Sequence, residues 1–88
     1  MPKVVVTHFV EDVERWLGFK DERAAAVAPF ATNVTDHVAM DGSKNVAITM
    51  DAHDTAGLQA ALASPSPELA ATMGRHGVIP PVTAHIEK

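Results

Sequence analysis

Cysteine is absent from the sequence, which excludes a disulfide framework, a zinc–thiolate site and a thiol nucleophile, and leaves histidine and carboxylate as the only metal-ligating types. A basic cluster is absent too. The seven Lys and Arg stand apart at positions 3, 15, 20, 23, 44, 75 and 88 in a chain of formal net charge −4, so no nucleic-acid footprint is expected. No apolar run approaches the length of a bilayer span, and the stretch Lys3–Val10 is too short and too β-branched for a signal peptide. The expectation is a cytoplasmic protein with no membrane partner. The glycines at 18, 42, 57, 74 and 77 never gather into a phosphate-cradling loop, so no nucleotide cofactor is implied.

What is present is ordinary globular material, 47% apolar and 20% charged, in 88 residues. Residues 1–88 are read as a single domain, small enough that association with a second copy would help it bury its apolar surface.

The clearest local signal runs from Ser64 to Pro81. Ser66 caps a helix, Pro67 sits where its missing N–H costs nothing, Glu68 places negative charge at the positive helix end, and Gly77 turns the chain out. The spacing predicts a helix over 67–76 with Leu69, Met73 and His76 on one face.

Upstream, Lys3–Val10 reads as a central strand apolar on both faces. A helix follows from Glu11 towards Pro29, its stripe formed by Val13, Trp16, Leu17, Ala24 and Val27. Lys20 lays its stem along that stripe, and the helix bends at Gly18 without breaking. Residues 31–40 and 45–50 alternate around Asp41-Gly42-Ser43-Lys44 as a hairpin. Asp36 stands on the apolar parity of its strand, which calls for a bulge or an exposed edge, and a raised-pKa carboxylate base is conceivable there. A second helical stretch carries Leu58, Ala61 and Leu62 before Pro65. A last strand begins after Pro80-Pro81, since adjacent prolines do not fit a ladder interior.

Strand, helix, strand, strand, helix, strand is the ferredoxin-like βαββαβ order, an α+β fold with a four-stranded antiparallel sheet in order 4-1-3-2 and helices on one face. The uncovered face, carrying Val5, Thr7, Phe9, Ala39, Ala47, Thr49 and Thr83, is too apolar to be left wholly in water.

The residues Val6–Phe19, the turn Asp41-Gly42-Ser43-Lys44-Asn45 and the pattern from Ser66-Pro67-Glu68-Leu69 through Met73, Gly77-Val78 and Pro81 resemble the dimeric α+β barrel superfamily, which includes antibiotic-biosynthesis-monooxygenase-like and stress-responsive barrel proteins. The resemblance implies a homodimer packed sheet to sheet, with a cavity either between each sheet and its helices or between the two sheets. Three readings follow from it: a small apolar or aromatic ligand held in a cleft on the sheet, cofactor-independent oxygenase or isomerase chemistry, or an open face that serves only to make the dimer.

Five histidines, at 8, 37, 53, 76 and 85, supply the only common acid–base type that titrates near neutral pH. His37 and His85 lie on the mixed faces of the two edge strands. Each alone is a half-exposed strand histidine, but across a sheet-to-sheet dimer they become candidate catalytic bases. His8, Asn33, Thr49, Trp16 and His76 are candidate ligand-binding residues, while Trp16, Phe19, Met40, Met50 and Met73 also suit ordinary core. Asp51, His53 and Asp54 are close enough in sequence for a divalent ion but equally suit a strand end and helix cap, so no metal is expected. His76 resembles in placement the axial histidine of haem-degrading members of the superfamily. The accompanying Asn on the first strand and Trp on a later strand are missing, so no cofactor is expected.

Overall fold

The computed structural model describes residues 2–88. Strand β1 (Lys3–Val10) alternates as its sequence dictates: Val4, Val6, His8 and Val10 are buried under the helices, whereas Val5 and Thr7 are half-buried and Phe9 is exposed on the opposite face. Two helices follow instead of one. α1 (Val13–Leu17), capped by Asp12, stops at Gly18, and α2 (Lys20–Val27) starts after Phe19. The chain passes between them through a tighter turn in which the Phe19 N–H donates to the Trp16 carbonyl. The expected bend is thus a break. It re-aims α2 so that Arg23 is buried and Lys20 is exposed, not laid along the apolar stripe.

β2 (Ala31–Val38) and β3 (Asn45–Ala52) form the hairpin. β2 ends before Met40, which is fully exposed at the turn and not in the core. Between Thr32 and Thr35 the register slips by one residue, with Asn33 at φ 54°, so the strand bulges. Beyond the bulge Asp36 pairs with Ile48 and shares its inward face. α3 (Thr55–Ala63) is capped by Asp54, whose carboxylate accepts the Gly57 N–H at 2.9 Å, and α4 (Pro67–Arg75) by Ser66 through the Leu69 N–H at 3.2 Å. His76 closes α4, and Gly77, at φ 73°, leads into β4.

β4 (Val78–Ile86) begins earlier than expected and runs through Pro80 and Pro81. The prolines are tolerated because β4 is an edge strand and they fall where its pairing with β1 skips from Phe9↔Ile79 to Thr7↔Thr83. His8 is the β1 residue at that skip.

The sheet is antiparallel in order β2-β3-β1-β4, which is 4-1-3-2 read from the other edge. The core lies between sheet and helices: Val4, Val6, Val10, Val46, Ile48, Met50 and Ala52 from the strands meet Trp16 and Leu58 from the helices. On the open face the pairing lines up His37, Ala47, Thr7 and Thr83 in one row, and Thr35, Thr49, Val5 and His85 in the next.

Candidate functional site

The polar residues buried under the helices form one connected cluster around Arg23. Its Cζ lies 4.0 Å from the centroid of the fully buried Trp16 ring, a cation–π contact removed from water. Nε and Nη2 donate to Asp36 Oδ1 and Oδ2 at 3.3 and 2.5 Å. The Asp36 side chain is 1% exposed and lies in a two-pronged ion pair, so it is the counter-charge of a buried guanidinium and not a free carboxylate base. Nη1 points at His76 Nδ1 at 3.4 Å.

His76 ends α4 with its ring stacked on Phe19, centroids 4.5 Å apart and planes within 15°. A guanidinium only donates, so Nδ1 carries the lone pair and the proton is assigned to Nε2. Nε2 is buried without a hydrogen-bond partner, 3.6 Å from Glu22 Oε1, and Glu22 is itself paired with Arg75. Burial, and then Arg23, hold His76 below the ordinary imidazole pKa, with Glu22 pulling the other way.

His8 sits against the edge of Trp16, rings 6.1 Å apart and nearly perpendicular. Its Nδ1 lies 3.0 Å from the Phe9 carbonyl. A carbonyl only accepts, so Nδ1 is assigned the proton and Nε2 the lone pair. Burial lowers the pKa of His8, the Phe9 carbonyl opposes that, and Arg23 adds to it. His8 is therefore a buried neutral acceptor.

These groups border a hollow of about 70 Å³ between the sheet and helices α2, α3 and α4, walled by Ile48, Met50, Leu69, Met73 and Val82, with His8, Arg23, Thr72 and His76 as its polar residues. A second hollow of about 240 Å³ opens at the β4 edge, lined by Thr55, Gln59, Ala84, His85 and Ile86. Leu58 and Leu62 of α3 border both, so the two are adjoining chambers with a leucine wall between them. An apolar cavity of about 150 Å³ admits benzene. The outer chamber therefore has room for a ring, and the inner one has room for a substituent. Neither has room for a haem, and both His76 nitrogens already face Arg23 and Glu22.

The remaining sequence candidates lie elsewhere. His37 Nε2 is 2.9 Å from Thr49 Oγ1 on the open face. Asn33 donates from Nδ2 to Asp51 Oδ2 at 2.8 Å, and Lys3 Nζ is 2.9 Å from Asp51 Oδ1. Asn33, then Lys3, hold Asp51 below the usual carboxylate pKa. His85 lies on the far edge from His37, three strand spacings or about 14 Å across the sheet. One copy of the chain thus gathers His8, Trp16 and His76 and leaves His37 and His85 apart. His53 Nε2–H donates to the Pro29 carbonyl at 3.0 Å and Asp54 caps α3, so Asp51, His53 and Asp54 serve separate partners. No three metal-ligating side chains converge among the described residues.

Sequence reasoning missed Arg23 as the hub. The one signal for it was Asp36, because a carboxylate on an apolar parity needs a buried cation.

No family model matches the chain, and no curated protein matches its sequence. Solved structures do match over nearly its whole length. An antibiotic biosynthesis monooxygenase superposes with a TM-score of 0.64 at 14% identity, covering 100% of this chain and 97% of the other. SnoaB, a cofactor-independent oxygenase from Streptomyces nogalater solved as a point mutant, gives 0.65 at 18% identity over 99% and 90%. Rv0793 from Mycobacterium tuberculosis gives 0.55 at 15% identity over 100% and 94%. The chain shares the ferredoxin-like α+β fold of these structures.

Proposed function

We propose that a chain with this fold binds a small, largely apolar or aromatic ligand between its sheet and helices, and does so as a cytoplasmic homodimer joined through the open sheet face. The observation that carries the ligand reading is the pair of adjoining chambers, an outer one with room for a ring and an inner one ending on His8, Arg23 and His76. Arg23 would offer a donor at that end and His8 an acceptor, so a ligand would be oriented by its polar group and held by its apolar body. The dimer reading is supported by the open face, where Phe9 and Ile79 are exposed beside half-buried Val5, Thr7, Ala47 and Thr49.

Native mass spectrometry of freshly purified protein tests both. A dimer carrying a defined extra mass is expected. A stable monomer would overturn the sheet-to-sheet association, and failure to bind any member of a panel of small aromatics by calorimetry would overturn the ligand reading.

A second reading is a cofactor-independent monooxygenase or isomerase, favoured by the shared fold with SnoaB. On it His37 of one copy and His85 of the other act across the sheet-to-sheet interface, with Thr49 and Asn33 orienting the substrate. Oxygen uptake with phenolic substrates, lost in His37→Gln or His85→Gln while the dimer persists, is the expected result. Uptake unchanged in both variants would remove these two histidines from the chemistry.

A further inference from the structure

We infer that two copies meet about a two-fold axis parallel to the strands and running between β1 and β3, so that Lys3 of each copy faces Asp51 of the other. The inference rests on the proposed sheet-to-sheet dimer and adds the direction in which one sheet is turned on its partner.

The open face is graded along its strands. At one end Phe9 is paired with Asn45 on one side and Ile79 on the other, and both Phe9 and Ile79 are exposed. At the opposite end Lys3 is paired with Asp51, its Nζ 2.9 Å from Oδ1. Glu87 completes that end: its N–H donates to the Lys3 carbonyl at 2.8 Å, and its Oε1 accepts the Lys3 N–H at 3.2 Å. One end is therefore apolar and the other charged.

A self-complementary contact can bring like ends or unlike ends together. An axis across the strands lays the charged end over Phe9 and Ile79, which takes its charges out of water with no opposite charge to meet. A diagonal axis lays it along an edge strand, over Thr83 and His85 or over Thr35 and His37, again without an opposing charge. An axis along the strands sets each row on itself in reverse order. Phe9 then covers Asn45 of the partner subunit, and apolar surface meets its own kind. At the charged end Asp51 comes over the partner's Lys3 and Lys3 over the partner's Asp51. Together with the pair inside each copy they form a ring of alternating charge at the border of the contact.

The same turn completes a site that one copy lacks. Within a copy His37 and His85 stand on opposite edge strands. Across this axis β2 lies over the partner's β4, so Thr35 is opposite the partner's His85, and His37 is one row away, about 7 Å along the strand. The axis across the strands would put β2 over β2 and keep the two histidines apart.

The test exploits the charged row. Lys3→Glu makes the Lys3–Asp51 pair wholly acidic and Asp51→Lys makes it wholly basic, so each variant repels a copy of itself and attracts the other only where the row meets itself. Native mass spectrometry of an equilibrated equal mixture is expected to show about nine-tenths or more heterodimer, against about one half for random pairing. In wild-type protein mixed from isotope-labelled and unlabelled chains, filtered nuclear Overhauser spectra should show the Phe9 ring in contact with Asn45 of the partner subunit. This second measurement decides the matter even where a variant does not fold.

Random pairing of the two variants, or a Phe9 contact to the partner's Lys3, overturns the inference and leaves the dimer standing. A wild-type monomer overturns both.

Discussion

Asp36 receives two N–H donors from Arg23, at 2.5 Å on Oδ2 and 3.3 Å on Oδ1, at a strand position paired with the buried Ile48. The pair joins β2 to α2, and removing one member strands the other's charge out of water.

Asp36→Ala or Arg23→Ala is therefore expected to cost about 3–5 kcal/mol in urea unfolding, whereas Arg23→Met combined with Asp36→Leu should fall within about 1 kcal/mol of wild type. Single variants as stable as the double would show that the pair is not desolvated in solution.

Stability should fall as the solution is acidified below neutrality. Burial and Arg23 hold His8 and His76 below the ordinary value of 6.5 that the unfolded chain shows. Between the two values the unfolded chain binds protons that the folded chain refuses, so unfolding free energy rises with pH across that window. The contribution is complete above about pH 6.5 and lost towards the lowered folded pKa. Glu22 and Asp51, held down by Arg75 and Asn33, lose theirs only below the ordinary carboxylate range near pH 4. Thermal melts at about pH 7.5 and about pH 5.5 should show the lower midpoint in acid, with a smaller difference in His76→Gln; equal midpoints would contradict buried neutral imidazoles.

Phe9 lies near the end of β1 on the open face with half its surface exposed, so on the proposed sheet-to-sheet pairing Phe9→Arg should leave the fold intact and give a monomer in sedimentation where the wild type gives a dimer. A dimer unaffected by this substitution would place the subunit contact elsewhere.

Two glycines three residues apart should respond oppositely to alanine. At Gly74, inside α4 with open space around the missing Cβ, alanine should stabilise by about 0.5–1 kcal/mol. At Gly77, in the left-handed region with Glu11 close by, it should destabilise by about 1–2 kcal/mol. Calorimetric unfolding of the two variants checks the sign of each.

Strand alternation in Val46, Ile48 and Met50, and the cap and stop at Ser66-Pro67 and Gly77, were legible because each depends on near neighbours in sequence. The topology followed from the order of those elements. Arg23 was not legible as a core residue, because its burial depends on the turn at Gly18–Phe19 rotating α2 and on a carboxylate arriving from β2. Its neighbours Ala24 and Val27 drew the apolar stripe to the adjacent face. The histidines were visible as candidates, yet their grouping was not: His8 and His76 meet across 68 positions through Trp16 and Arg23, a convergence that local spacing does not encode.

Pro80 and Pro81 carry one more consequence. They lie on the outermost strand, where a proline removes an N–H from the ladder that an added strand would need, and the opposite margin of the sheet is interrupted by the bulge at Asn33. Lateral growth of this sheet into a filament, strand upon strand in its own plane, is thus obstructed at both borders, and what remains available for self-recognition is the broad surface and not the rim.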